Sequence, residues 1–288
     1  MDKILLWKNG AKSSITPFLL NDGKMHPGML VIPGGGYGCV CESTEGSPIA
    51  RRFNELGYHA FVLDYRVAPH RFPEPQLDAF RAMKIIRGNA GKWNIIPDRI
   101  AAVGFSAGGH LCACLGTLSE EIDPRAGDEF DSVDPIPDGM ILSYAVVSFL
   151  PENSGHIGSG KNLLAERLSE LEKTYSLEFH VTQKTPPAFI WCTFGDQIVS
   201  YKNSIVFAQA MKKAGRPCEL HIFAMGDHGM LLGLDTEDVV GWTAQADAFL
   251  KTQWAYRADP EAIRKKYTNP YQAAMEKQIK PESFPGHR

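Results

Sequence analysis

Arg99-Ile-Ala-Ala-Val-Gly-Phe-Ser-Ala-Gly-Gly-His110 holds an apolar run, Ile100 to Val103, then Gly104-Phe105-Ser106-Ala107-Gly108, then a segment rich in Ala, Leu and Cys. The run predicts a buried strand and the segment a helix, so the G-x-S-x-G pattern falls on a strand-to-helix turn. That shape suits a serine meant to attack a carbonyl. A sharp elbow lifts the hydroxyl clear of its own backbone, and the flanking glycines remove Cβ atoms that would clash there. The helix beyond points unpaired N–H groups, and the positive end of its dipole, at any oxyanion that forms. An ordinary Gly-rich turn has the same five residues. A base, an acid and oxyanion donors elsewhere in the chain would separate the two.

Outward from this stretch, strands alternate with helices from residue 29 to 250. Strands are predicted at Met29–Ile32, Tyr58–Tyr65, Gly139–Phe149, Ala188–Phe194 and Glu219–Phe223. Helices are predicted at Ser47–Leu56, Leu77–Ala90, Leu163–Tyr175, Tyr201–Ala214 and Val239–Leu250. Ile4–Trp7 and Ile15–Leu20 read as an edge pair of strands. Such alternation predicts an α/β fold with a mostly parallel central sheet and helices on both faces. The expected organisation is one domain over residues 1–288. Its core covers about 28–250, with a lid-like excursion at about 150–187 and a polar C-terminal extension at 251–288.

The 288 residues carry a formal net charge of −3, which gives no reason to expect nucleic acid or an anionic membrane as a partner. No apolar run approaches the length of a membrane span, and the first residues hold too short an apolar stretch for a secretion signal. None of the six cysteines lies in a C-x-x-C motif, so buried reduced thiols and a cytoplasmic location are expected.

A base that both accepts and returns a proton near neutral pH is a histidine. Of nine, His228 lies in Met225-Gly-Asp-His-Gly-Met230, after the last strand, at the sheet edge where open α/β folds bind ligands. Asp196 follows the preceding strand and is the expected acid. Asp227 is a rival, but side chains of adjacent residues diverge. Gly34-Gly35-Gly36 follows the Met29–Ile32 strand and lets backbone N–H groups face a substrate. A phosphate loop is the competing idea, without the Lys-Ser/Thr or dinucleotide spacing it needs. The N–H of Ala107 is the expected helix-side donor. Asp64, Arg66 and Asp78 are expected to pair beneath the glycine loop, and His110 to pack or hydrogen-bond. Tyr37 is expected to line the acyl pocket. His156 is expected either to approach the leaving group or to be solvated.

Pro33-Gly-Gly-Gly-Tyr37, Asp64-Tyr-Arg-Val-Ala-Pro69, Gly104-Phe-Ser-Ala-Gly-Gly-His110, Thr185-Pro-Pro187, Gly195-Asp196 and His228-Gly229 together resemble the α/β-hydrolase superfamily. The nearest likeness is to acetyl esterases and acetylxylan esterases, related to the hormone-sensitive-lipase-like group. The resemblance implies Ser106 as nucleophile, His228 as base, Asp196 as acid, and Gly35, Gly36 and Ala107 as oxyanion donors. It implies two-step acyl transfer without metal or organic cofactor, on a small-molecule ester. Acetylated sugars or xylo-oligosaccharides follow from the resemblance alone. One departure is Pro33, where the lipase-like group has His before the glycines. A serine peptidase on the same fold and a catalytically inactive binding module stay as alternatives, and the oligomeric state is open.

Overall fold

The computed structural model describes residues 2–8 and 10–267. Its strands are β1 (Ile4–Leu5), β2 (Ser14–Phe18), β3 (His26–Ile32), β4 (His59–Asp64), β5 (Ile95–Phe105), β6 (Met140–Ser143), β7 (Ala188–Thr193) and β8 (Cys218–Phe223). They form one sheet in the order β1-β2-β4-β3-β5-β6-β7-β8. From β4 to β8 every pairing is parallel, and β1 and β2 run antiparallel at the edge. The fold is that of the α/β-hydrolases. The inner strands are buried on both faces, as in Ala188–Thr193, and for that reason read as unbroken apolar runs rather than alternating ones.

Helix α1 (Ser47–Glu55) carries Pro48 in its first turn, where a missing N–H costs nothing. Its Phe53 meets the Trp242 ring edge-on at 6.4 Å. Helix α2 (Glu74–Gly88) lies against α3 (Ala107–Thr117). Helices α4 (Ile157–Leu164) and α5 (Leu168–Leu171) lie within the excursion, and α6 (Lys202–Lys213) links β7 to β8. By its internal contacts the chain divides into Met1–Leu250 and Lys251–Arg288. Helix α7 (Trp242–Ala258) runs past that division, and α8 (Pro260–Tyr267) follows. The rest of the expected extension, 268–288, lies outside the described residues. Among the described residues no helix is long and apolar enough to cross a membrane.

Three expected elements differ. The strand expected over Gly139–Phe149 ends at Ser143, because Tyr144 turns to a φ of 37°. Residues 145–150 stay buried without pairing, so their apolarity reports burial and not a strand. The helix expected over Leu163–Tyr175 is broken at Ala165, whose φ is 53°. Its residues split between the end of α4, a 3-10 turn and α5. The helix expected over Val239–Leu250 is α7, which begins at Trp242 and runs on to Ala258.

His110 is fully enclosed under the sheet edge. Its Nε2 lies 3.0 Å from the Tyr175 carbonyl oxygen and its Nδ1 2.9 Å from the Tyr37 hydroxyl. The carbonyl can only accept, so Nε2 carries the proton and Nδ1 accepts from the tyrosine. Burial pulls the His110 pKa down to about 4. The unfolded chain therefore binds a proton between about pH 6.5 and 4 that the folded chain refuses. His110 stability is complete above pH 6.5 and drains as pH falls, by about 3 kcal/mol at pH 4. Urea unfolding of His110→Gln is expected to show a shallower loss of stability over that window than the wild type.

Candidate active site

Ser106 occupies the turn between β5 and α3 with φ 52° and ψ −120°, in the left-handed half of backbone space. Tertiary bonds hold it there. Its N–H donates to the Ser143 carbonyl at 3.1 Å, and its own carbonyl accepts from Val146 N at 3.0 Å and Gly109 N at 2.9 Å. Close packing enforces the glycines. A Cβ on Gly108 would stand 2.3 Å from the carbonyl oxygens of both Ile32 and Pro33, and one on Gly104 2.2 Å from the Gly108 oxygen. Backbone cannot yield as a side-chain tip can, so only glycine lets α3 seat against the strands.

Ser106 Oγ lies 2.9 Å from His228 Nε2, and His228 Nδ1 lies 2.7 Å from Asp196 Oδ2. Asp196 projects from the end of β7 and His228 from the loop after β8, so adjacent parallel strands bring them together. Asp196 Oδ1 accepts from the N–H groups of Ile198 at 2.9 Å and Val199 at 2.8 Å. The carboxylate is thereby fixed on one side by backbone and on the other by imidazole. With the Nδ1 proton directed at Asp196, neutral His228 has Nε2 free to accept from the serine hydroxyl. Asp227 contributes only its carbonyl here, to the Thr193 hydroxyl at 3.1 Å.

The glycine loop is aimed by its carbonyls. Gly34 O accepts from Cys41 N at 3.0 Å, Gly35 O from Gly38 N at 2.9 Å, and Gly36 O from Asn162 Nδ2 at 2.9 Å. In a trans peptide the next N–H points opposite to the carbonyl, so the Gly35 and Gly36 N–H groups turn away from those partners. Positive φ values of 126° and 62° at Gly35 and Gly36 make this geometry accessible. The loop lies on the elbow: a Cβ at Gly34 would be 2.9 Å from Ser106 Cβ. Ala107 is the first residue of α3, where the N–H has no partner one turn back.

Beneath the loop lies a carboxylate that the sequence did not flag. Glu45 Oε2 accepts from Gly34 N at 2.7 Å, and Oε1 accepts from the Tyr144 hydroxyl at 2.9 Å. The Tyr144 ring meets the His228 imidazole edge-on, with centroids 5.0 Å apart. No local pattern separates Glu45 from Glu42, which bonds Ser47 in the same polar run.

Other expected residues are placed as follows. Tyr37 does not line an open pocket. It is 1% exposed, with its hydroxyl committed to His110 and its ring against Tyr65, because a φ of 59° turns it into the core. Arg66 and Asp78 pair at 2.8 Å, and Asp78 also accepts from Trp7, Ser13 and Arg66 N. Asp64 stands apart from them and pairs with Lys3 at the surface. His156 Nδ1 accepts from Ser159 N at 3.3 Å and caps α4. Burial, then the nearby charge of His228, holds its pKa below the usual histidine range. Among the described residues, no group of three His, Cys, Asp or Glu side chains is placed to hold a metal ion.

Residues 20–211 match the BD-FAE family. Endo-1,4-β-xylanase B of Butyrivibrio fibrisolvens is 38% identical over 233 residues, covering 78% of this chain and 36% of the relative. The acetylxylan esterase of Xylanibacter ruminicola is 33% identical over 208 residues, covering 70% of this chain and 40% of the relative. The chain thus spans less than half the length of either. The solved acetyl ester-xyloside bifunctional hydrolase of Caldicellulosiruptor lactoaceticus superposes with a TM-score of 0.82 at 39% identity, over 87% of this chain and 96% of that one. The chain belongs to the BD-FAE family and is an acetyl esterase-like α/β-hydrolase.

Proposed function

We propose that this protein is a serine carboxylesterase that removes short acyl groups, chiefly acetyl, from sugar esters such as acetylated xylo-oligosaccharides. The observation that carries this reading is the unbroken chain Ser106 Oγ, His228 and Asp196, with contacts of 2.9 and 2.7 Å. His228 takes the Ser106 proton as Oγ attacks the ester carbonyl. The N–H groups of Gly35, Gly36 and Ala107 receive the oxyanion. The sugar alcohol leaves with the proton from His228, and water then cleaves the acyl-enzyme by the same route reversed. Asp196 keeps the imidazole in the right tautomer and stabilises its charged form. The named activities of the Xylanibacter and Caldicellulosiruptor relatives support the acetyl and xyloside assignment. Glycoside cleavage would need a pair of carboxyl groups flanking the scissile bond. The site's carboxyl groups, Asp196 and Glu45, are buried and already hold protein hydrogen bonds.

The test is an acyl-length series of p-nitrophenyl esters, followed by acetate release from acetylated xylo-oligosaccharides, with Ser106→Ala as the blank. Acetate turned over fastest, a steep fall by octanoate, and acetate release from the sugar would bear the reading out. Cleavage of aminoacyl p-nitroanilides with none of the acetyl esters would replace it with a peptidase.

A further inference from the structure

Glu45 is buried beside the site, yet it plays no part in the Ser106–His228–Asp196 chain. Its two oxygens face two different parts of the machinery. Oε2 holds the N–H of Gly34 at 2.7 Å, at the start of the oxyanion loop, and Oε1 holds the Tyr144 hydroxyl at 2.9 Å. A Cβ built on Gly34 would be 2.8 Å from Oε2 and 2.9 Å from Ser106 Cβ, so the carboxylate lies just behind the nucleophile. Tyr144 sets its ring against His228 at 5.0 Å and 70°. It does so at a φ of 37°, a backbone state that a tyrosine adopts only when its surroundings impose it. The strain falls on the residue that joins Glu45 to His228.

We propose that Glu45 is a positioning residue of this active site. It is a second buried carboxylate that fixes the Gly34 end of the oxyanion loop and sets a negative charge on the Tyr144 side of His228. This role presupposes the serine-esterase reading above. Asp196 supports the imidazolium from Nδ1, and Glu45 supports it from across the ring. When His228 takes the serine proton, both carboxylates favour the charged form, while the uncharged resting form gains little from either.

The surroundings of Glu45 act on its carboxyl in both directions. Burial dominates and holds its carboxyl above the usual carboxylate range, while the Gly34 N–H, the Tyr144 hydroxyl and the charge of His228 offset part of that rise and favour the ionised form. Tyr65 from the end of β4 and Cys41 from its own segment also face it. Around His228 stand Asp196, Ser106, Tyr144 and, from the excursion, His156.

The test is Glu45→Gln, which keeps the shape and removes the charge. On p-nitrophenyl acetate, kcat is expected to fall on the order of 10-fold, with KM changed less than about 2-fold. The acid limb of kcat/KM moves to lower pH by about one pH unit, because losing a nearby negative charge makes His228 harder to protonate. Imidazole ¹⁵N titration of the resting protein reads the same displacement without any turnover. Tyr144→Phe keeps the ring but strips a donor from Glu45, pushing its carboxyl up. It shifts the limb in the same direction by less, and it supplies the answer if Glu45→Gln does not fold. A folded Glu45→Gln with an unmoved limb and an unmoved His228 titration overturns the role, even if kcat drops, since a mere brace would do that. Should the wild type hydrolyse no acyl ester, the esterase reading fails, and the ¹⁵N titration still decides whether Glu45 acts on His228.

Discussion

Ser106→Ala is expected to lower kcat on p-nitrophenyl acetate by about 10⁶-fold, and His228→Ala by nearly as much. The double variant should be no worse than either alone. The reason lies in the geometry. At 2.9 Å the serine hydroxyl is placed to donate to Nε2, and on the proposed mechanism neither group acts without the other. An alanine at 106 leaves the base nothing to deprotonate. An alanine at 228 leaves a hydroxyl whose proton has nowhere to go. Losses that multiply would show two groups acting separately, and the Ser106–His228 pairing would then be wrong. A residual rate of about 10³- to 10⁴-fold over water is expected in all three variants, from oxyanion donors and binding alone. The glycine loop supplies that remainder, since its carbonyls are tied to Cys41, Gly38 and Asn162 and do not depend on either side chain.

Much of this arrangement is legible in the sequence, for a physical reason. A parallel sheet buried on both faces writes each strand as an unbroken apolar run, and the site lies where those runs end. Ser106 and Asp196 each follow such a run, and His228 follows the half-buried edge strand β8, where Glu219 and His221 alternate with Leu220 and Ile222, so order along the chain stands in for proximity in space. The same logic misleads where apolarity reports burial alone. The run through Val146 and Phe149 is as buried as a strand, and only the backbone turn at Tyr144 ends β6. Tyr37 borders the glycines in sequence, but its positive φ sends the ring inward to His110. Glu45 and Tyr144 are 99 residues apart. Their pairing leaves no trace in spacing or periodicity, because it depends on where β6 breaks and how the segment before α1 folds over the glycine loop. Arg66 and Asp78 were readable as a pair because the α2 helix brings one back to the other, whereas Asp64, the last residue of β4, turns to Lys3 at the surface.

Asp196→Asn is expected to lower kcat by about 10⁴-fold, a barrier increase of about 5 kcal/mol, with KM little changed. An asparagine has one oxygen and one NH₂ group, and its surroundings decide which faces which way. The N–H groups of Ile198 and Val199 point at the Oδ1 position from 2.9 and 2.8 Å. Two donors there demand the amide oxygen, since turning the NH₂ group to them would set donors against donors. The NH₂ group must then face His228 Nδ1 at the position now 2.7 Å away. It donates, so Nδ1 must accept and the ring proton moves to Nε2. In that tautomer Nε2 cannot take the Ser106 proton. The variant stays folded, because every buried partner is still satisfied, and melting should show a midpoint within a few degrees of the wild type. Imidazole ¹⁵N shifts in the resting protein should report the exchanged tautomer directly. Asp227→Asn is the matched control. Only the Asp227 carbonyl bonds to the site's framework, through Thr193, so its side chain can change with kcat held within about 2-fold. A large loss at Asp227 with little at Asp196 would transfer the acid to the neighbouring residue and undo the tautomer argument.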